Sequence, residues 1–373
     1  MHEYIATAPF GLEGVVAQEL RQLGFADVRA QEGGARFAAD EEGAFYANLW
    51  LRCADRVLLE VGRFPATSFE ELFEGVRALP WEAYLPQDAA FPVSGHCARS
   101  RLMSVSDCQA IAKKAIVERL RDKRRVRTLP ETGETYAVQV ALHRDMAALT
   151  LNTSGAGLSR RGYRTWNGEA PLRETLAAAM VRLSPWRPGE ALHDPLCGTG
   201  TLLIEAAFVA ARRAPGLARE FACEQWRWMP RARMRALREE ARAAFMPENV
   251  RDISGGDIDA DALKLAVRHL AQAGLAGRVP LRRQDVRTAR LSSGGVVLTN
   301  PPYGQRLSDR VGCDEVARAL RALQRESGRA LCVLSGYGGF ERAFGRRADR
   351  RRRLYNGRLE CELMTFYPGP SGG

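Results

Sequence analysis

The pattern of apolar residues changes near Leu172, and this change constrains the fold more than any other feature of the sequence. From the helical segment 172–183 onward, short apolar strands alternate with helical segments to the end of the chain. Such alternation is typical of an open, mostly parallel sheet with helices packed on its faces. Because ligands of such sheets bind at the carboxyl ends of the strands, we expect the functional site at the strand ends of residues 165–373.

The residues before this sheet predict two smaller units. Residues 1–65 follow the order β-α-β-β-α-β, the ferredoxin-like order, with a hairpin at Gly33-Gly34. Residues 66–150 predict a second α/β unit, in which Ser106 is the expected cap of a helix that ends near Lys123. Neither unit contains a plausible catalytic cluster, so we interpret both as binding or positioning modules. The predicted domains are residues 1–65, residues 66–164 with a connector at their end, and residues 165–373.

Positive charge is concentrated in the later part of the chain. The formal net charge is +11, to which residues 1–98 contribute −8, residues 99–164 +8 and residues 166–373 +11. Codon bias in a GC-rich genome accounts for most of the excess of arginine over lysine, but it does not explain the net charge. The net charge makes polyanions the first candidate partners. Two basic runs, Lys123–Arg127 and Arg346–Arg353, are either phosphate-binding elements or solvated loops.

Composition excludes several other classes of protein. Hydrophobic residues make up 46% of the chain and charged residues 27%, which is typical of a globular protein. No apolar run approaches the length of a membrane span, and the first residues lack the pattern of a secretory signal. The eight cysteines form no Cys-x-x-Cys pair, and the five histidines are scattered. We therefore predict a cytoplasmic protein with no membrane contact, no disulfide framework and no bound metal.

The first of four motifs with chemical meaning, Asp-Pro-Leu-Cys-Gly-Thr-Gly-Thr, starts at Asp194 and leads into a helical segment. Its glycines let a ligand approach the backbone closely at the start of the helix. A dinucleotide-binding loop would have a third glycine where Leu203 stands, and a phosphate-binding loop would contain Gly-Lys-Ser/Thr. The motif therefore favours an adenosyl cofactor without a pyrophosphate. The residues predicted to bind it are Asp194, Cys197, Gly198, Thr199 and Gly200.

Two aspartates at later strand ends extend this predicted cofactor site. Asp257, in Gly-Gly-Asp-Ile-Asp, can accept both ribose hydroxyls of a nucleoside, although a turn and helix cap before residue 260 is the alternative. Asp257 follows Asp194 by 63 residues, so residues 214–252 must form an inserted helical excursion. Asp285 could accept the exocyclic amine of adenine, but taken by itself it fits a loop aspartate better.

The fourth motif is the most specific. The apolar strand 296–299 runs directly into Asn300-Pro-Pro-Tyr. The two prolines remove backbone donors and stiffen the turn, so carbonyl oxygens point outward beside an amide and an aromatic ring. Such a turn accepts hydrogen bonds from an amino group and stacks a planar base. The predicted catalytic residues are Asn300, Pro301, Pro302 and Tyr303, and Asn300 is also assigned to the cofactor site.

In their order, the four motifs resemble class I S-adenosylmethionine-dependent methyltransferases that modify exocyclic amines. Several segments are similar, more narrowly, to the THUMP-domain RNA methyltransferases that make N2-methylguanosine. The segments are Arg160–Arg164, Ala170–Thr175, Asp194–Thr201 and Asn300–Gly304. Residues 214–219, with Trp226 beyond them, resemble the insertion of that family. Two positions depart from its usual pattern, because Gln305 replaces a frequent Glu and Ser159 a frequent His.

The resemblance implies an α/β fold with a C-terminal Rossmann-like methyltransferase domain, preceded by ferredoxin-like and THUMP α+β domains. It also implies S-adenosyl-L-methionine as cofactor and RNA as partner, with large-subunit (23S) ribosomal RNA the substrate of bacterial members and transfer RNA that of others. The expected reaction is methyl transfer to N2 of a guanosine that is unpaired or flipped out. The Asn300 side-chain oxygen and the Pro301 carbonyl would accept the amine protons, and Tyr303 would stack on the base.

Three other functions remain open on the sequence alone. Enzymes that methylate adenine N6 in DNA share Asn-Pro-Pro-Tyr, although the first 150 residues favour RNA. A non-catalytic RNA-binding assembly factor could retain the cofactor pocket, although the intact motif argues against it. A side-chain amide of glutamine also fits the same turn, which leaves a protein methyltransferase possible, but the basic charge makes this reading weaker. The sequence does not fix the oligomeric state.

Overall fold

The computed structural model describes residues 1–164, 172–303 and 309–369. The chain separates into two compact units, and a seven-stranded sheet lies in each of them. The first unit comprises Met1–Ala8, Val16–Leu158 and Glu220–Leu237. The second unit comprises Pro9–Val15, Ser159–Arg219 and Arg238–Gly373. Within the described ranges, no helix is both long and apolar enough to cross a membrane.

The sheet of the first unit joins the two predicted α/β units into one. Its strands are β1 (His2–Thr7), β2 (Arg29–Gln31), β3 (Gly34–Ala39), β4 (Arg56–Pro65), β5 (Val93–Ala98), β6 (Val138–His143) and β7 (Met146–Asn152). They lie in the order β2-β3-β1-β4-β7-β6-β5. All neighbours are antiparallel except β5 and β6, which run parallel. The β4–β7 pair makes the sheet continuous, with a bulge between Glu60 and Gly62.

The helices of the N-terminal part are α1 (Glu13–Gln22), α2 (Glu41–Trp50), α3 (Phe69–Ala78), α4 (Trp81–Tyr84) and α5 (Val105–Arg124). The predicted cap of α5 is wrong, because Ser104 and not Ser106 precedes the helix. The Ser104 backbone is extended, and its hydroxyl accepts a hydrogen bond from the Asp107 amide at 3.4 Å. At the other end, the Arg124 guanidinium donates to the Pro86 carbonyl at 3.3 Å, so this part of the basic run is used within the unit.

Residues 220–237 interrupt the second unit in sequence but pack within the first. The Trp226 ring stacks on Tyr136 with 5.1 Å between ring centroids, and its indole nitrogen donates to the Thr135 carbonyl at 3.0 Å. Arg227 makes ion pairs with Asp88 at 2.6 Å and with Glu134 at 3.1 Å. The predicted excursion between the first two motifs is therefore present, and part of it is an integral element of the first unit.

The second unit contains the predicted alternation of strands and helices. Its strands are β8 (Leu192–Asp194), β9 (Ile253–Asp257), β10 (Leu281–Arg283), β11 (Val296–Thr299), β12 (Ala330–Ser335), β13 (Arg350–Asn356) and β14 (Leu359–Phe366). Its helices are α6 (Glu174–Leu183), α7 (Thr201–Ala210), α9 (Ala260–Gln272), α10 (Asp309–Ser327) and α11 (Phe340–Phe344), while α8 (Arg231–Ala243) spans residues of both units.

The strand order in this sheet determines where a ligand can bind. The order is β10-β9-β8-β11-β12-β14-β13, in which β8 to β12 are parallel and β14 runs antiparallel to both of its neighbours. The strands β8, β9 and β10 follow one another toward one edge of the sheet. The next strand, β11, lies on the other side of β8, and the later strands extend from it toward the opposite edge. In doubly wound sheets the ligand binds at the carboxyl ends of the strands beside such a reversal. The expected ligand position is therefore between the ends of β8 and β11.

The arginine run Arg346–Arg353 is not simply a solvated loop, because it comprises the start of the edge strand β13 and the residues directly before it. Its second half lies in β13, paired with β14. Arg351 makes an ion pair with Glu341 at 2.6 Å, and Arg353 makes one with Glu360 at 3.3 Å. Part of the positive charge of this run is thus balanced within the second unit, which lowers the number of arginines available for phosphate contact.

Candidate active site

The end of β8 and the end of β11 are connected directly by a hydrogen bond. Asp194, the last residue of β8, is 2% exposed, and Thr299, the last residue of β11, is fully buried. The Thr299 hydroxyl donates to Asp194 Oδ1 at 2.7 Å, and the Leu196 amide donates to the same oxygen at 3.1 Å. This contact brings the first and fourth sequence motifs together at the point where the strand order reverses.

The glycine-containing turn after β8 has the backbone conformation that its sequence predicts. Gly198 has φ +50°, and Gly200 has φ +84° at the position that caps α7. A Cβ atom at Gly200 would lie 3.2 Å from the Ala266 side chain, and the positive φ at this position strongly favours glycine. The Cys197 side chain is buried, and the Cys197 amide donates to the Gly256 carbonyl at 2.9 Å. The carbonyl oxygen of Thr199 accepts a hydrogen bond from Nδ1 of the His269 ring at 3.2 Å.

Asp257 at the end of β9 reaches back to this turn. Its Oδ2 accepts a hydrogen bond from the Gly198 amide at 2.7 Å, and its Oδ1 accepts one from the Asp259 amide at 3.0 Å. The helix-cap role belongs instead to Asp259, whose Oδ1 accepts hydrogen bonds from the first amides of α9. The two aspartates of Gly-Gly-Asp-Ile-Asp therefore have different structural roles, and only Asp257 lies beside the glycine turn.

Asp285 has a local partner that the sequence did not indicate. Its carboxylate makes an ion pair with Arg287 at 2.6 Å and accepts a hydrogen bond from the Arg287 amide at 2.9 Å. This pairing keeps the pKa of Asp285 below its usual range. Each carboxylate oxygen can accept more than one hydrogen bond, so the predicted contact with an adenine amine is compatible with the ion pair. The Gln284 amide donates to the Asp257 carbonyl at 2.9 Å, which places the Asp285 loop next to β9.

Within Asn300–Tyr303, the two polar side chains contact each other. The Tyr303 hydroxyl donates to Asn300 Oδ1 at 2.5 Å, and burial raises the pKa of this phenol. Pro301 is buried, whereas Pro302 is exposed and its carbonyl accepts from the Cys313 thiol at 3.4 Å. The oxygen predicted to receive a substrate amine thus has an internal donor in this structure. Gly304 and Gln305 lie outside the described residues.

A buried polar cluster contacts α7, the helix that follows the glycine turn. Arg161 and Glu205 form an ion pair at 3.3 Å with side chains 2% and 0% exposed, and the Tyr163 hydroxyl donates to Glu205 at 3.3 Å. Arg164 makes an ion pair with Glu174 at 3.2 Å and donates to the hydroxyl of Thr201, the first residue of α7. The sequence marked Arg160–Arg164 only through a family resemblance, and nothing in the local pattern indicated these partners. Ala170 and Pro171, part of the same resemblance, lie outside the described residues.

Replacing Asp257 with alanine should weaken the binding of S-adenosylhomocysteine by about 10–100-fold, because the carboxylate that fixes the glycine turn and would accept ribose hydroxyls is lost. Asp259→Ala is the matched control, since it removes a carboxylate two residues away that caps α9. The control should lower the free energy of unfolding by about 1 kcal/mol and leave the affinity unchanged. Isothermal titration calorimetry of both variants tests this, and equal losses of affinity would contradict the assignment.

The stability of the unliganded protein should fall as pH rises from about 4 to 7 because of Asp194. Burial raises the pKa of Asp194 to about 7, although hydrogen bonds from Thr299 and Leu196 oppose the shift. In the unfolded chain an aspartate has a pKa of about 3.9. Between these two values unfolding releases a proton, so the contribution of this group is present at low pH and is lost as pH approaches 7.

Urea unfolding at several pH values measures this effect, with Asp194→Asn as the comparison. The amide keeps an acceptor oxygen for Thr299 and cannot ionise. The difference between the wild-type and variant midpoints should therefore change with pH across that window. A constant difference would show that Asp194 is ionised throughout.

Among residues 1–164, 172–303 and 309–369, no cluster of His, Cys, Asp or Glu side chains is arranged to hold a metal ion.

The fold and the strand ends together define the class of protein. The strand order of the mostly parallel sheet reverses between β8 and β11, and the antiparallel strand β14 lies between β12 and β13. A glycine turn follows β8, an acid ends β9 and Asn-Pro-Pro-Tyr follows β11. This combination defines a class I methyltransferase domain.

Comparison with known families agrees with this class. The model of the family described as UPF0020, the RMKL-like methyltransferase domain, matches residues 161–365. The chain belongs to this family. Residues 3–58 match the RlmL ferredoxin-like domain, and residues 66–152 match the THUMP domain. The predicted fold, a methyltransferase domain after ferredoxin-like and THUMP domains, is therefore confirmed.

Two relatives and two solved structures are similar over nearly the whole chain. A Bacillus subtilis protein named "Putative RNA methyltransferase YpsC" is 38% identical over 97% of this chain and 95% of its own length. The ribosomal RNA large subunit methyltransferase K/L of Cellvibrio japonicus is 34% identical over 98% of this chain but 51% of its own length. The chain thus spans about half the length of the K/L relative.

The solved structures have the same fold. A protein of Listeria monocytogenes, described as a predicted N6-adenine-specific DNA methylase, is 42% identical with a TM-score of 0.93 and covers 99% of this chain and 96% of its own. A structure described as "SMU.472, a putative methyltransferase complexed with SAH" is 38% identical with a TM-score of 0.93 and covers 100% of this chain and 99% of its own.

Proposed function

We propose that this chain transfers a methyl group from S-adenosyl-L-methionine to N2 of a guanosine in RNA, with 23S ribosomal RNA as the substrate. The observation that carries the proposal is the hydrogen bond between Thr299 and Asp194, because it places Asn300-Pro-Pro-Tyr beside the glycine turn at the strand reversal. A ribosomal RNA substrate also implies action in the cytoplasm. Residues 1–65, 66–164 and 165–373 are the proposed functional domains.

The residues at the ends of β8 and β9 fit an adenosyl cofactor. Glycines at positive φ leave the backbone of the turn after β8 open to the close approach of a ligand. Asp257 Oδ2 accepts from the Gly198 amide and Oδ1 from the Asp259 amide, and each oxygen keeps a lone pair for a further donor. Asp194, Cys197, Gly198, Thr199 and Gly200 would line the position of the cofactor. Asp257 would accept ribose hydroxyls, and Asp285 would accept the adenine amine. When bound, S-adenosyl-L-methionine supplies an electrophilic sulfonium methyl group.

The role of the turn after β11 is to orient a weakly nucleophilic amine. The lone pair of guanine N2 is delocalised into the ring, so hydrogen bonds to its protons must favour the geometry in which the lone pair is available. The Asn300 side-chain oxygen and the Pro301 carbonyl would accept those protons. Pro302 keeps the turn rigid because its φ angle is fixed. No general base is required, since the proton can leave after transfer.

The Tyr303 hydroxyl has a specific part in this proposal. In the structure it donates to Asn300 Oδ1, which orients the amide with its oxygen toward the Tyr303 hydroxyl. A carbonyl oxygen has two lone pairs, so it can accept from Tyr303 and from a substrate amine together. A base stacked on Tyr303 would then present its amine next to that oxygen, with about 1–3 kcal/mol contributed by stacking.

RNA as the substrate is supported by the match of residues 66–152 to the THUMP domain and by the names of the relatives. Transfer RNA is the second candidate RNA. Adenine N6 in DNA is a further candidate, because the similar protein of Listeria monocytogenes is described as a predicted DNA methylase of that kind. Asn-Pro-Pro-Tyr fits either exocyclic amine.

Mass spectrometry of nucleosides decides among these candidates. Ribosomal RNA, transfer RNA and DNA are isolated from the source strain with and without the gene. The proposal expects N2-methylguanosine to fall by one site per 23S molecule on deletion and to return on complementation. A loss confined to transfer RNA, or a loss of N6-methyladenine from DNA, would replace the proposed substrate with that one. No change in any fraction, together with no tritium transfer to unmodified RNA, would refute the enzyme assignment.

A further inference from the structure

A groove with a volume of about 560 Å³ lies in the second unit along β8, β9 and β10. The chain between β10 and β11 contains a 3-10 turn at Val286–Thr288 but no α-helix, and all of its residues are described. The groove is lined in part by residues just before or at the amino ends of the strands, such as Ala191, Asp252 and Pro280. Neither the glycine turn after β8 nor Asn300–Tyr303 lines the groove, so it is distinct from the proposed position of methyl transfer, although Gln284 at its border is next to Asp285.

The lining of this groove is strongly basic. Its charged residues are Arg282, Arg283, Arg290, Arg329 and one carboxylate, Asp252. We call this feature the basic groove. Arg290 makes an ion pair with Glu326 at 3.2 Å, whereas neither Arg282 nor Arg329 has an ion-pair partner in the described part of the chain.

Arg329 is the most informative of these residues because it is only 4% exposed. Its guanidinium donates to the carbonyl and to the hydroxyl of Ser292 at 3.0 and 3.2 Å, both of which are uncharged acceptors. Removing a charge from water without a counter-charge is unfavourable, and burial accordingly lowers the pKa of Arg329. An anion in the basic groove would supply the missing counter-charge.

His193 gives an independent indication of a ligand. The residue is part of the lining of the basic groove and is 5% exposed, and its Nε2 has no hydrogen-bond partner among the described residues. On the other side of the ring, Nδ1 lies 2.9 Å from the Ser254 hydroxyl. When that hydroxyl donates to Nδ1, the Nε2 atom carries the ring proton and is a donor without an acceptor. A buried donor of this kind normally has a partner.

We propose that the basic groove binds a phosphate group through Arg282, Arg329 and the Nε2–H of His193. Each guanidinium group can bind phosphate oxygens through a pair of hydrogen bonds, and a neutral imidazole donates one more. The exposed residues Arg283 and Arg290 extend the positive surface beyond these three. The source of the phosphate is either an RNA backbone, which rests on the proposed function, or a small phosphorylated compound, which does not.

Binding of inorganic phosphate to the full chain tests the site. The protein is labelled with 15N-histidine, and the ring signals are followed as phosphate is added at constant ionic strength. The signal of His193, assigned with His193→Gln, should shift and saturate. Arg282→Gln removes an exposed contact and should weaken binding about tenfold. The matched control Arg268→Gln removes an exposed arginine on α9 outside the groove and should change nothing.

Binding of a short single-stranded RNA to the same variants identifies the source of the phosphate. If the RNA backbone occupies the basic groove, Arg282→Gln should reduce the slope of log affinity against log salt by about one unit, while Arg268→Gln does not. If Arg282→Gln weakens phosphate binding but leaves RNA affinity unchanged, the ligand is a small phosphorylated compound. Absence of a saturable His193 shift, or equal effects of both variants, would overturn the proposal whatever the outcome of methyltransferase assays.

Discussion

Replacing Asn300 with alanine is expected to lower the rate of methyl transfer to RNA by about 10²–10³-fold, the usual effect of losing one positioned hydrogen-bonding group at a reacting centre. The alanine cannot accept a proton of the substrate amine, so the nitrogen lone pair remains delocalised. Affinity for S-adenosylhomocysteine should change much less, because Asp257 and the glycine turn are intact. Transfer of tritium from labelled cofactor to unmodified RNA measures the rate, and calorimetry measures the affinity.

Tyr303→Phe is the control that distinguishes the effect of the Asn300 amide from the effect of the hydroxyl bonded to it. It removes the hydroxyl that donates to Asn300 Oδ1 and keeps the ring that would stack on the base. This variant should lose clearly less of the rate than Asn300→Ala, because the amide oxygen that accepts the amine remains and only the hydroxyl that orients it is lost. Near-normal turnover in Asn300→Ala would refute the assignment of the turn. A loss of S-adenosylhomocysteine affinity as large as the loss of rate would show that Asn300 acts through the cofactor instead.

The meeting of the ends of β8, β9 and β11 was predictable from the sequence because it depends on local features. Parallel strands end at one edge of a sheet, so acids and glycines directly after apolar strands converge there. Asp194, Asp257 and Asn300 each follow this rule, and the contacts of Asp194 with Thr299 and of Asp257 with Gly198 confirm that their strand ends meet. The roles of these residues in binding and transfer stay predictions.

Other features could not be read from the sequence because they depend on contacts between distant residues. The stacking of Trp226 on Tyr136 joins residues 90 positions apart, and no local pattern announces it. The bond between Tyr303 and Asn300 is close in sequence but depends on a turn conformation that the two prolines only restrict. Both Ser104 and Ser106 are suitable cap residues by type. Ser104 is the cap because its backbone is extended and α5 begins at the next residue, which the sequence pattern does not determine.

Replacing Arg161 with methionine is expected to lower the free energy of unfolding of the second unit by about 3–5 kcal/mol, the range observed when one partner of a buried ion pair is removed. The substitution keeps most of the side-chain volume but leaves Glu205, which is 0% exposed, without its counter-charge. The Tyr163 hydroxyl still donates to Glu205, but a neutral donor does not replace a guanidinium. The shift of the urea midpoint measures the effect.

The double variant Arg161→Met/Glu205→Gln separates the unpaired charge from any loss of packing. It leaves no buried charge at this position, and the glutamine oxygen can still accept from Tyr163, so most of the lost stability should return. The matched surface change Arg268→Met should alter the midpoint very little, because Arg268 is exposed on α9. If the double variant were as unstable as Arg161→Met alone, the cost would come from packing around Arg161, and the ion pair with Glu205 would not be what stabilises the base of α7.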